Sequence, residues 1–268
     1  MKASLQQFVI LAFTLLLPVI SSHAQEGKIG IVAHRGFWQA ESAEGAQNSI
    51  AALEAAIREG FWGSELDVHL TLDNVVIVNH DGDIQGVKIR NHTFSDFVEM
   101  TLGNGEPVPT LPEYLKAAKK GKKCMIVLEI KDQGDYDRNI LLSELAIQEL
   151  KKQKIYKPSR VMFISFSLDV CEHIGRTAPE FTNQYLGGDK SPAELKGMGI
   201  NGLDYNLKKL RKNPQWVAEA HALGMSVNCW TVDDPKDMQE MMDLGVDCIS
   251  TNKPTVLRRL LGARELKN

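Results

Sequence analysis

From residue 28 onward, short β-branched or apolar runs alternate with longer amphipathic ones, and the short runs number eight: 28–33, 64–70, 125–130, 160–164, 182–186, 202–205, 226–230 and 248–250. Amphipathic stretches at 49–59, 112–120, 139–153, 168–177, 214–223, 235–244 and 254–261 fall between or after them, several with Pro near their first turn, where helices tolerate it. A strand followed by a helix, repeated, predicts βα units around a parallel sheet. Eight such units in a chain of this length predict one closed (β/α)₈ barrel, a fold that typically takes about 250 residues.

Two places interrupt the rhythm. Residues 71–109 separate the second run from its helix and contain an extra apolar run, 75–78, so a small insertion is expected after the second strand. A connection this long in a compact domain is usually functional. Residues 191–199 are short and Gly-containing and predict no helix, which makes the fifth-to-sixth connection the weakest part of the expected barrel.

Barrel enzymes build their sites at the C-terminal ends of the strands, and that is where this chain keeps its reactive residues. His34 and Arg35 close the first run, Glu65 and Asp67 lie on the second, His80 closes the extra run, Glu129 and Lys131 close the third, and Trp230 ends the seventh. Glu65 and Asp67 are two apart and so share one face of a strand. Together with Glu129 they would crowd negative charge in the barrel mouth unless a cation sits among them. An all-oxygen donor set favours a hard divalent ion, Ca²⁺ or Mg²⁺, over zinc. The competing reading makes Glu65 and Asp67 ordinary surface or ion-paired charges.

His34 and His80 can serve as proton acceptor and donor, since an unperturbed imidazole titrates near pH 6.5. Arg35 and Lys131 suit a phosphate, Arg35 through paired hydrogen bonds, although either could instead pair with a carboxylate. Trp230 either forms an apolar wall for substrate or packs in the core. His69 shares the alternation of Glu65 and Asp67 and is a weaker candidate for lining the barrel; His92, His173 and His221 read as structural.

Set in order, these pieces resemble the glycerophosphodiester phosphodiesterase family. The resemblance rests on His34-Arg35-Gly36, Gln47-Asn48-Ser49, Gly63-Ser64-Glu65-Leu66-Asp67-Val68 and Asn79-His80-Asp81. It continues through Thr110-Leu111-Pro112-Glu113-Tyr114-Leu115, Leu128-Glu129-Ile130-Lys131, Trp230-Thr231-Val232 and the stretch from Gly245 to Thr251. It implies a barrel with an insertion after the second strand, His34 and His80 as acid/base pair, Glu65, Asp67 and Glu129 as metal ligands, and Arg35 and Lys131 on phosphate. The implied reaction releases glycerol 3-phosphate and an alcohol from a glycerophosphodiester. Three positions depart from the family's usual pattern: Gln47-Asn48-Ser49 stands for Glu-Asn-Thr, and Asn252 for Asp. Which histidine is the base, and whether water or a substrate hydroxyl attacks, stay open at this level. So do two rival readings, hydrolysis of lysophospholipids or other diesters, and capture without cleavage.

The first 24 residues carry Lys2, an apolar run from Phe8 to Ile20 and then Ser21-Ser22-His23-Ala24, the pattern of a secretory signal peptide. Cleavage after Ala24 is expected, leaving an exported catalytic domain of residues 25–268, periplasmic or secreted. The apolar run falls short of the roughly 20 residues a membrane span needs, so no stable membrane insertion is expected after cleavage. With Lys2 gone, 30 basic residues remain against 34 acidic ones, from 31 and 34 in the whole chain. That balance gives no basic footprint for nucleic acid. Cys124, Cys171, Cys229 and Cys248 show no metal-knuckle spacing; they allow three full disulfide pairings, which an exported protein could form, but buried free thiols are the favoured reading.

Overall fold

The computed structural model describes residues 29–265. The expected leader, residues 1–24, lies outside the described residues.

The chain alternates strand and helix as its patterning dictates. In order come β1 (Gly30–Ala33), α1 (Ile50–Glu59), β2 (Gly63–Leu70), β3 (Val76–Val78), β4 (Asp83–Ile84), β5 (Val87–Lys88), α2 (Leu111–Ala118), β6 (Met125–Ile130) and α3 (Tyr136–Lys152). There follow β7 (Val161–Ser165), α4 (Leu168–Thr177), β8 (Thr182–Tyr185), α5 (Pro192–Gly197), β9 (Gly202–Asn206), α6 (Leu207–Lys212), α7 (Gln215–Ala222), β10 (Ser226–Trp230), α8 (Pro235–Leu244), β11 (Cys248–Thr251) and α9 (Pro254–Glu265). Strands β1, β2, β6, β7, β8, β9, β10 and β11 are parallel neighbours, and pairing of Val32 with Gly63 and Ala33 with Ser64 closes them into a barrel. The expected (β/α)₈ architecture is therefore the observed one.

Strand alternation sorts the core into two layers. Val32, Met125, Val127, Met162, Ile164, Leu186 and Cys248 cluster together with Trp62 and Trp230. Two larger clusters carry the other strand residues, such as Leu66, Leu128, Phe163, Leu203, Val227 and Ile249, together with side chains of the surrounding helices. Cys229 pairs with Ile249 and Asn228 with Cys248 across β10 and β11, so the two cysteines point to opposite faces. All four cysteines are free and buried.

Segment 191–199 corrects the expectation of no helix. Ser191 accepts from the backbone N–H of Glu194 while the Glu194 carboxylate receives the Ser191 N–H, a reciprocal cap that starts α5 with Pro192 in its first turn. The capping chemistry was present in the residues, but the helix is too short to show periodicity. β8 and β9, on either side of it, share only the pairs Gln184 with Gly202 and Tyr185 with Leu203. Helix α6 was likewise unforeseen; it begins directly at the end of β9, with Asn206 as its cap.

The insertion is a small structured unit. β3 runs antiparallel to the end of β2, pairing Val68 with Val78 and Leu70 with Val76. A two-residue turn of Gln85 and Gly86, both at positive φ, joins β4 to β5 as tight hairpins require. Ile77, Ile84, Ile89, Phe97 and Val108 give the unit its own core, each large side chain contributing roughly 1.5–3 kcal/mol by burial. At its far end the Glu106 carboxylate receives the N–H groups of Ile50 (2.9 Å) and Ala51 (3.1 Å), tying the insertion to the open start of α1.

Candidate active site

The parallel register of β2 and β6 sets Asp67 directly beside Glu129, and alternation along β2 puts Glu65 on the same face. One carboxylate oxygen from each of the three lies within 4.8 Å of the others, and all three side chains are buried. Glu65 Oε2 receives the backbone N–H of Arg35 at 2.6 Å, while its buried Oε1 has no hydrogen-bond partner. Asp67 is held at both ends: Asn48 Nδ2 donates to Oδ2 at 2.8 Å, and the Asp67 backbone N–H donates back to Asn48 Oδ1. Arg35 and Asn48 both sit at positive φ (57° and 58°), uncommon for residues with a side chain and typical of functional sites.

The electrostatics follow from this crowding. Burial, then Asp67 and Glu129, push the Glu65 carboxyl well above the usual carboxylate range. Burial and Asp67 raise Glu129 to about 7. Burial also works against ionised Asp67, but Lys131 and the Asn48 hydrogen bond outweigh it and hold that pKa below its ordinary value. Lys131 lies 3.2 Å from Asp67 and 2.8 Å from Glu129. Burial alone would lower its pKa; the carboxylates raise it and keep the ammonium charged. A buried acceptor without a donor, flanked by carboxylates that repel one another, suits a bound cation. The purely oxygen donor set fits a hard divalent ion.

His34 stands at the end of β1 with its backbone N–H bonded to Thr251. Its Nδ1 lies 2.9 Å from Asn252 Oδ1. The orientation of that amide is forced: Asn252 Nδ2 donates to the Asp233 carboxylate at 2.7 Å, and Oδ1 accepts from the indole Trp38 Nε1, which can only donate. Nδ1 of His34 therefore carries the proton, and Nε2 keeps its lone pair. Burial, only partly offset by the Asn252 bond, lowers the His34 pKa to about 4.

His80 lies just past β3, about a third exposed at 37%, with Nδ1 2.7 Å from Asp81 Oδ1; Asp81 is itself 76% exposed. Arg35 donates to Gln47 Oε1 at 2.7 Å and approaches Asp67 at 4.0 Å. Trp230 packs in the inner layer, donates from Nε1 to the Asp204 carbonyl at 2.7 Å, and meets the half-exposed Phe166 edge to face at 5.5 Å.

All eight candidate residues thus gather at the C-terminal end of the barrel. His69, two residues past Asp67 on β2, is buried and bonded to the His80 carbonyl. His92, His173 and His221 contact instead the Lys88 carbonyl, Glu144 and Asp247. Sequence reasoning missed Trp38, Asp233, Phe166 and Gln133. Asp233 and Phe166 follow closely on predicted strand ends, the one signal that could have marked them.

The chain as a whole has known relatives. The model of the glycerophosphoryl diester phosphodiesterase family matches residues 34–256. A glycerophosphodiester phosphodiesterase from Caldanaerobacter subterraneus is 28% identical, the match covering 86% of this chain and 97% of that one. The crystal structure of a glycerophosphodiester phosphodiesterase from Parabacteroides distasonis is 45% identical, with a TM-score of 0.86 over 88% of this chain and 98% of that one. An Oleispira antarctica phosphodiesterase, solved with sn-glycerol-3-phosphate, shares the fold at a TM-score of 0.71 and 21% identity, covering 86% of this chain and 95% of that one. On the family match, the 45% identity and the common barrel, the chain belongs to the glycerophosphoryl diester phosphodiesterase family.

Proposed function

We propose that this protein hydrolyses glycerophosphodiesters to glycerol 3-phosphate and an alcohol, with a divalent ion held by Glu65, Asp67 and Glu129 and with His34 and His80 as the acid/base pair. The observation that carries the reading is the meeting of this carboxylate triad, two histidines and two cations in one barrel mouth. The relatives' names and the glycerol 3-phosphate bound in the Oleispira enzyme supply the substrate class. When bound, Ca²⁺ or Mg²⁺ supplies Lewis-acid charge to the phosphate oxygens.

The chain's own residues divide the remaining work. Arg35 and Lys131 draw the phosphate in and offset the charge that develops on its oxygens. His34, neutral and with Nε2 unprotonated, takes a proton from a water molecule as its oxygen bonds to phosphorus. The bond from phosphorus to the alcohol oxygen breaks, and His80 gives that oxygen its proton. Trp230 and Phe166 form an apolar wall on the opposite side of the mouth.

Water-soluble diesters are favoured over acyl-bearing ones. Of the insertion's apolar side chains, Phe97 is buried, and the partly buried Phe94, Met100 and Leu102 pack against the insertion's own core. Export of the mature chain is part of the same proposal and rests on the sequence of residues 1–24.

The test is release of glycerol 3-phosphate from glycerophosphocholine, first with chelator and then with Ca²⁺ or Mg²⁺ restored. Release that returns with the metal supports the reading. Binding of the diester by metal-loaded protein without any product would overturn it in favour of capture.

A further inference from the structure

We propose that His69 is a positioning residue, a neutral imidazole that clamps the backbone of His80 and whose tautomer is set by Gln133; the inference rests on the acid/base reading of His80. His69 is on β2, two residues past Asp67, and 8% exposed, with both ring nitrogens turned to protein groups. Its Nε2 lies 3.1 Å from the carbonyl oxygen of His80, which can only accept. Nε2 must therefore carry a proton.

The other ring nitrogen gives the same answer by a separate route. Gln133 Nε2 donates to the Lys131 carbonyl at 2.8 Å, and its Oε1 accepts from the Leu70 N–H at 3.4 Å, so the amide cannot be turned round. That places a donor 3.4 Å from His69 Nδ1, which must accept. The two ends of the ring agree on one tautomer. Gln133 is in turn secured by its backbone, its N–H on Asn139 Oδ1 at 2.7 Å and its carbonyl on Arg90 Nη1 at 2.8 Å.

The clamp matters because, among the described residues, it is what ties the His80 carbonyl to β2, while the turn that follows is held by Asn79 Nδ2 on the Asp81 and Asp83 carbonyls at 2.7 and 3.2 Å. Among the described residues the His80 imidazole, 37% exposed, bonds to Asp81 alone, which is 76% exposed. The neighbouring backbone makes one ladder-like bond, Asn79 N–H to the Asp67 carbonyl at 3.1 Å. Through His69 the His80 carbonyl is referred to β2, which carries Glu65 and Asp67, and through Gln133 to the loop that carries Lys131. A catalytic group misplaced by about 1 Å can lose roughly a hundredfold in rate.

The experiment compares metal-loaded wild type with His69→Leu and His69→Gln in steady-state turnover of glycerophosphocholine. The Gln amide can still donate to the His80 carbonyl; Leu cannot. His69→Leu is expected to lower kcat by about 10- to 100-fold, with KM and metal affinity unchanged, and His69→Gln to recover most of the loss. Unchanged kcat in a folded His69→Leu protein, or parallel loss of kcat and metal affinity that His69→Gln does not restore, would overturn the clamp. Nitrogen NMR of the Mg²⁺-loaded wild type reads the tautomer without turnover. An Nε2–H signal supports the clamp and an Nδ1–H signal refutes it, whereas an inactive wild type would count against hydrolysis alone.

Discussion

Asp67 and Glu129 are register partners across the β2–β6 ladder, so the fold sets two carboxylates side by side, with Lys131 Nζ 3.2 Å from the first and 2.8 Å from the second. With Glu65 on the same strand face, the site carries a standing electrostatic cost in the absence of a cation.

A first prediction follows for stability against pH. Glu129 has an ordinary value of 4.5 and is raised to about 7 in the folded chain, so folding favours its protonated form. The stabilisation is complete below about 4.5 and lost as pH rises to about 7. Melting of the metal-free protein should therefore show a fall in Tm over that window. Glu129→Gln, or added Ca²⁺ or Mg²⁺, should flatten it. An equal fall in wild type and variant would show that Glu129 is not the group responsible. Asp67, lowered rather than raised, acts with the opposite sign and only in more acid solution.

The His34 and Asn252 pair makes a prediction about the rate. An imidazole lowered to about 4 is unprotonated at neutral pH and becomes cationic only as pH falls through that value. The acid limb of the kcat/KM profile should fall near pH 4, well below the 6.5 or so at which an ordinary histidine base would set it. Asn252→Asp puts a carboxylate against Nδ1, favours the imidazolium, and should move the acid limb upward. A limb near 6.5 in wild type, unmoved in the variant, would count against His34 as the base. His34→Ala and His80→Ala should each lower kcat by about 10²–10⁴-fold with the fold intact.

Gly36 should resist substitution. It sits at φ +79°, and a Cβ there would fall 2.7 Å from the Cβ of Ala52 in α1. Gly36→Ala should destabilise by more than about 1 kcal/mol, read as a lower denaturation midpoint. Because the neighbouring Arg35 N–H anchors Glu65, it should also weaken metal binding measured by calorimetry.

Glu106 links the insertion to the catalytic end of α1. Removing its carboxylate with Glu106→Ala leaves two helix-start N–H groups without a side-chain acceptor and should cost about 1 kcal/mol. Urea unfolding gives the value directly; no change in midpoint would mean that water replaces the cap without loss.

The cysteines should be silent. Cys229 and Cys248 occupy adjacent strands but point to opposite faces, and all four thiols are buried and free. Reductant should leave Tm unchanged, and thiol titration of the unfolded chain should find four reactive groups.

Much of this molecule was legible in its order of residues. Periodicity marked the eight barrel strands because buried strands concentrate apolar residues; those strands and their ends marked His34, Glu65, Asp67, Glu129 and Lys131, and the extra run of the insertion marked His80. Alternation along β2 was enough to place Glu65 and Asp67 on one face. The tertiary structure alone decided what depends on contacts between distant segments. The side of the Asn252 amide that meets His34 is set by Trp38 and Asp233, which lie 214 and 19 positions away along the chain. The tautomer of His69 is set by Gln133, 64 positions away. Local propensity reports what a residue does to its own backbone; the proton on an imidazole is assigned by whichever donor or acceptor the closed barrel brings against it.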